Sequence, residues 1–341
     1  MTQRRRTSAA LIATACLAGG VLAMAPAHAA PSPGAGSTGS GSVFMVNPVQ
    51  SSGDQSLTDQ KDAASAVPAS AYATVPLRNL DGSGNLVGKW ANVVSSTGDA
   101  AYSPTNTFTY TRDDDRFEQV MAYFWVNQAQ EYLQSLGFGS TLRPVNAESQ
   151  DVRINQYGVD NSFSWDKKDL LRFGKGGVDD AEDGEVIVHE YGHAVHDAQV
   201  PGFGTSLDAG SIGEAFGDYL SVTVGLDAAR QYGWPVRAPQ PCVADWDSVS
   251  YTSTVPHCLR RLDTSLVLED RKGEVHYDGT IWSGALWDIR QRYVALGLGT
   301  RAWDTTLVDS QFGYAPDTSF SAAAQTTYRT ALARDGRRAA D

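Results

Sequence analysis

The sequence predicts an α+β fold with a β-rich N-terminal lobe, one central metal-binding helix and a mainly α-helical C-terminal lobe. Three observations carry this. Strand-like runs broken by Gly, Asp and Asn fill residues 71–94 and 151–174. Helix-period apolar runs dominate the second half. Between them stands His189-Glu190-Tyr191-Gly192-His193, inside the run from Glu185 to Asp197. The expected division is a leader over 1–30, a linker or short arm over 31–68, the β-rich lobe over 69–188, and the metal-site helices with the helical lobe over 189–341.

Residues 1–30 read as a cleaved export signal. Arg4, Arg5 and Arg6 precede an apolar run from Ala9 to Ala25, and Ala27-His28-Ala29 supplies a small-x-small cleavage pattern before Ala30. The run is short and Ala/Gly-rich for a membrane anchor, which is the competing reading. Removing the three arginines takes the formal charge from −12 to −15. That acidity argues against nucleic acid or an anionic membrane surface as partners. Export also removes Cys16 and leaves Cys242 and Cys258. Two cysteines in an oxidising compartment read as a disulfide closing a surface loop, with zinc ligation as the weaker alternative.

Residues 31–68 are rich in Gly, Ser, Pro and Ala apart from Val43-Phe44-Met45-Val46, and read as a linker or loosely packed arm. From Ala71 to Val94 the pattern is a hairpin around Asp81-Gly-Ser-Gly-Asn85, a turn sequence without the terminal Glu of a calcium loop. Thr111 to Gly137 is a helix: Phe117, Val120, Met121, Phe124, Tyr132 and Leu133 recur at helical spacing. A strand follows over Asp151 to Tyr157, then Asp160 to Gly174. The acids Asp179, Asp180, Glu182 and Asp183 are placed to cap the next helix and complement its dipole. After the disulfide loop, helices are expected over Ile281 to Leu296, Trp303 to Phe312 and Ser319 to Arg334.

On a helix, His189 and His193 lie one turn apart on one face and can share a zinc ion. Glu190 lies about 100° round the helix, placed to take a proton from a water that the metal acidifies. The metzincin continuation fails, because His196 stands where that pattern needs Gly and Gln199 where it needs His. The next acidic helical run, Ser211 to Val222, offers Glu214 and Asp218 at i, i+4 behind a turn marked by Pro201, Gly202 and Gly204. Glu214 completes a two-His, one-Glu set, and Asp218 can hold the other ring nitrogen of a ligand His.

These motifs, HEYGH (189–193), GEAFGDY (213–219) and VHYDGTIW (275–282), resemble the thermolysin-like metallopeptidases, the fungalysin branch more than thermolysin itself. The likeness spans about residues 100–290. It implies a thermolysin-like two-lobed fold and a secreted zinc endopeptidase. It also implies that His276 bonds the oxyanion and that Asn161-Ser162-Phe163 sits on an edge strand above the metal. Arg260 resembles the arginine that holds a substrate carbonyl, with Arg261 as the alternative. Val186 and Leu259 match positions lining the pocket for the residue after the scissile bond, so Leu, Phe or Ile is expected there. Glu185 matches a calcium position, but Gly225 stands where a partner acid would be, so calcium (Ca2+) is left open. The tyrosine that thermolysin carries between its metal helices has no counterpart in residues 199–211.

The expected cofactor is one zinc ion (Zn2+) per chain, the partners are protein or peptide substrates, and a monomer is expected. Two other readings stay open: a zinc aminopeptidase, and a binding or adhesion module that keeps zinc for structure. A GxMEN-type amine anchor would favour the first and loss of Glu190 the second.

Overall fold

The computed structural model describes residues 36–93 and 98–340; the expected leader lies outside them. The stretch read as a linker is a structural strand. β1 (Ser37–Phe44) is the middle strand of a three-stranded sheet, antiparallel to β2 (Tyr72–Leu80) and parallel to β4 (Thr107–Phe108), with β3 (Ala91–Val93) elsewhere. Val43 to Val46 are wholly buried, and α1 (Pro48–Ser52) follows, capped by the Asn47 side chain. Its small residues are a packing requirement. A Cβ on Gly41 would stand 2.6 Å from Val120 Cγ1, and one on Gly39 2.3 Å from the Asn106 carbonyl oxygen. The composition that suggests flexibility here serves close approach.

The expected hairpin closes only at its turn. Gly82 and Gly84 take the positive φ that the turn needs, and Leu80 bridges Gly88. Beyond that the two strands part. The ladder of β2 belongs to β1, while β3 enters a second sheet, ordered β3-β5-β7-β6 with β5 Gln150–Arg153, β6 Phe163–Trp165 and β7 Leu170–Arg172. β6 runs antiparallel to β7 at one edge of this sheet.

α2 (Arg116–Ser135) fills the core beneath β1, burying Phe117, Val120, Met121, Phe124, Tyr132 and Leu133 as its periodicity predicts. Two long helices pack beyond it: α3 (Gly184–Gln199) and α4 (Leu207–Tyr232). A short antiparallel pair, β8 (Cys242–Val243) and β9 (Arg260–Arg261), carries the loop closed by the Cys242–Cys258 disulfide. Then come α5 (Val275–Ala295), α6 (Thr300–Gln311), α7 (Phe320–Arg334) and α8 (Arg337–Ala340). α5 starts earlier than its apolar run suggests, because Glu274 caps it by accepting from the backbone N–H of His276 and Tyr277. No helix among the described residues is long and apolar enough to cross a membrane.

Candidate metal centre and cleft

α3 begins at Asp183, whose Oδ1 accepts the Glu185 N–H at 2.9 Å. The other three acids of that run are not caps. Glu182 takes the Arg112 Nε–H at 2.9 Å and the Trp246 indole N–H at 3.0 Å, both in the core. Asp180 accepts from the Ser162 hydroxyl, and Asp179 is buried beside Glu182 and Asp62. Burial overrides the helix dipole as the reason for their positions. Glu185 is likewise buried, its Oε2 taking the Ala244 N–H at 2.7 Å and its Oε1 the Gln50 amide at 3.2 Å. A side chain at Gly225 would meet Val46 Cγ2 at 3.2 Å.

α3 and α4 approach through glycine. A Cβ on Gly192 would lie 3.0 Å from Gly217 Cα, and one on Gly217 only 2.7 Å from His189 Nδ1. That approach brings one ligand atom each from His189, His193 and Glu214 within 4.8 Å of one another. His189 Nε2 lies 3.2 Å from Glu214 Oε2, and His193 Nε2 lies 3.7 Å from Glu214 Oε1. Behind them, His189 Nδ1 meets Asp218 Oδ1 at 2.9 Å. Arg260 grips the same carboxylate through Nε and Nη2, each at 2.7 Å.

The donor set fits zinc: two imidazole nitrogens and a carboxylate converge, and the far nitrogen of one imidazole is fixed by an acid. Glu214 Oε2 is buried without a hydrogen-bond partner among the described residues, as is Glu190 Oε2. The ionisable groups at this point also shift one another strongly. Burial alone would lower the pKa of His189, yet Asp218 and Glu214 hold it up to about 10. Burial lowers His193 to about 4. Burial pushes Glu214 up, but His193, His189 and His276 outweigh it and hold the carboxyl well below the usual range. Burial raises Asp218 too, and Arg260 with His189 bring it down to about 2. Glu190 is pushed up to about 7 by burial, against the pull of His189.

The other candidates gather round these residues in a cleft of about 440 Å³, which Asn161, Ser162, Val186, Leu259, Arg260 and His276 all help to line. Asn161 and Ser162 lead into the edge strand β6. His276 is half exposed at the N-terminus of α5, with Nδ1 2.7 Å from Glu274 Oε1 and Nε2 3.4 Å from Glu214 Oε2. Arg260 spends Nε and Nη2 on Asp218, and its Nη1 has no hydrogen bond among the described residues. Arg261 turns away to Asp263 at 2.7 Å. The tyrosine lining the cleft is Tyr251, whose hydroxyl donates to Asp160 at 2.7 Å.

His196 is buried (1 % exposed) with its ring stacked on Phe203 at 3.9 Å. It faces inward because it lies one turn on from the ligand face. Sequence reasoning also missed an acidic group beside the cleft: Asp160, Asp180 and Asp247 bring one oxygen each within 4.8 Å of one another, and the last two help to line the cleft. The acidic run around Asp180 held the signal, but helix capping accounted for it locally.

The sequence model of the fungalysin metallopeptidase (M36) family matches residues 92–315, which take in most of β3, the edge strand β6, helices α3 and α4 and His276. No curated protein matches the chain.

Proposed function

The chain belongs to the fungalysin (M36) metallopeptidases, a family of zinc metalloendopeptidases, and from that premise we propose that it is an exported endopeptidase with Glu190 as its general base. The observation that carries this is the convergence of His189 and His193 on Glu214, with the buried Glu190 carboxyl beside them under an open sheet edge. His189, His193 and Glu214 would hold the metal. Zinc supplies Lewis acidity there, lowering the pKa of water and polarising a carbonyl.

The chain's own groups do the rest. A peptide lies along β6 as an added strand, held by its backbone, with Asn161 at the strand's leading end. Glu190 takes a proton from the attacking water and returns it to the leaving amine. A carboxyl near pH 7, rather than the usual 4.5, suits both halves of that shuttle. His276 Nε2 donates to the developing oxyanion, with Glu274 fixing the ring by its Nδ1. Asp218 positions His189, and Arg260 Nη1 receives a substrate carbonyl. Val186 and Leu259 give the subsite for the residue after the scissile bond two apolar walls, against which methylene groups gain about 0.8 kcal/mol each. Export through the N-terminal leader would deliver the enzyme to an oxidising compartment, in keeping with its disulfide.

The test combines metal analysis with turnover of a blocked peptide. Wild-type protein should carry one zinc per chain. His193→Ala and Glu214→Ala should lose both metal and turnover. Glu190→Gln should keep zinc and lose at least about a hundredfold in kcat. Wild-type turnover in Glu190→Gln would remove the general-base role, and full zinc in Glu214→Ala would remove the ligand set.

A further inference from the structure

A second hollow, of about 420 Å³, opens beside the metal cleft, and Tyr251 stands in the lining of both. The Tyr251 hydroxyl donates to Asp160 at 2.7 Å, and Asp160 directly precedes Asn161, so this ring marks the leading end of the edge strand β6. A chain laid along β6 and continued past that end meets Tyr251 and then the hollow. One bank of the hollow is Gln55 to Thr58; the other is Ser253, Val255 and His257, from the disulfide-closed loop. The first bank lies before residue 92, outside the stretch matched by the family model.

The two banks are tied together. His257 is buried, its backbone N–H donates to Gln55 Oε1 at 2.7 Å, and its Nε2 lies 3.0 Å from the Gln55 carbonyl oxygen. That tie sets the width of the hollow beforehand and spares a ligand the cost of ordering it. No Asp, Glu, Lys or Arg lines the hollow. What lies open on its banks is main chain. The backbone N–H and C=O groups of Leu57, Thr58, Ser253 and Val255 make no hydrogen bond among the described residues, and Thr58, Ser253 and Val255 are exposed. Such groups need a partner from outside the chain. A site without side-chain charge, with main-chain donors and acceptors open on both banks, suits an extended peptide better than an ion.

We propose that this hollow extends the substrate site: it receives the main chain of a polypeptide that runs past Tyr251, beyond the residues held in the cleft. This rests on the endopeptidase reading. The enzyme then favours long extended segments over short peptides, with little regard to the side chains at the distal end.

Blocked peptides that share one scissile bond, lengthened a residue at a time on either side, test it with the zinc-loaded full chain. As one end passes the cleft, kcat/KM should rise at least about tenfold, because binding far from the reacting bond is used at that bond. The gain should persist when the added residues are changed from Ala to Ser or Gln. Ser253→Trp, which fills the hollow, should bring the long-to-short ratio of kcat/KM down to about one. Thr58→Trp fills it from the opposite bank if the first variant does not fold. No gain at either end, or an unchanged ratio in a folded variant, overturns the proposal while leaving the peptidase reading intact. Zinc-loaded protein that cuts no peptide removes the peptidase reading instead. The hollow is then read by fluorescence anisotropy of the longest peptide, labelled at one end. Binding that weakens at least about tenfold in Ser253→Trp supports a peptide groove, and absent or unchanged binding overturns it.

Discussion

Asp218 is wholly buried, yet it holds two side chains of the cleft, His189 through Nδ1 at 2.9 Å and Arg260 through two bonds at 2.7 Å. Asp218→Asn keeps the shape but removes the charge that orients the imidazole and balances the guanidinium. Zinc affinity should fall about 10- to 100-fold, measured by competition with a chelator of known strength. Unchanged affinity would show that the ring is held by packing alone. The proposed ligands His189 and His193 were legible because i, i+4 spacing is a local property of one helix. Glu214 and Asp218 were legible for the same reason on the next. His276 came only through family likeness, since nothing local distinguishes it from a surface histidine. The pairing of Arg112 with Glu182, 70 residues apart, left no local trace at all. Nor did the meeting of Asp160 and Asp180 with Asp247, which the disulfide loop brings in from another part of the chain.

Between elements, the decisive contact is α3 on α4. Intrinsic propensity favours Ala over Gly inside a helix by about 1 kcal/mol. At Gly217 the added methyl would stand 2.7 Å from a ring atom of His189, and overpacking of this kind costs about 1 to 3 kcal/mol. Gly217→Ala should therefore destabilise the fold, by urea denaturation, and also weaken zinc binding by pushing the helices apart. A more stable variant with intact affinity would show that the interface has slack. The same steric logic explains where sequence reading of the elements went astray. Gly39 and Gly41 are small because α2 and the Asn106 segment press on β1, yet in sequence they look like linker. Strand pairing is non-local too. β2 and β3 flank a recognisable turn, but β1 takes the ladder of β2 and sends β3 to another sheet. Helix α2, by contrast, announces its own apolar face and lies inside the range read for it.

Across the whole molecule, acidity is carried inward as well as outward. The full chain has a net charge of −12, and Asp179, Asp180, Glu182, Asp183, Glu185, Asp245 and Asp247 are all buried. This has a consequence for pH that can be signed. Burial pushes Asp179 and Asp180 up to about 8 from an ordinary 3.8. Between those values the native state keeps protons that the unfolded chain has released, so stability falls as pH rises. His196 works in the opposite sense. Burial lowers it from 6.5 to about 3, so the unfolded state binds the extra proton and stability falls as pH drops through that window. Above about pH 6.5 the histidine no longer opposes the two acids. Burial raises Glu182 to about 8 as well, and lifts Glu185, Asp245 and Asp247 well above their ordinary values. Each acid that is protonated only in the native state adds a slope of about 1.4 kcal/mol per pH unit, so the zinc-loaded protein should lose stability steadily between about pH 6.5 and 7.5. Asp179→Asn, at a position that does not line the cleft, should remove one acid's share of that slope, about 1.4 kcal/mol per pH unit. Urea unfolding at several pH values across this interval measures both. A flat or rising stability curve for the wild type would mean that these carboxyls titrate normally in the folded protein, through water or cations reaching them.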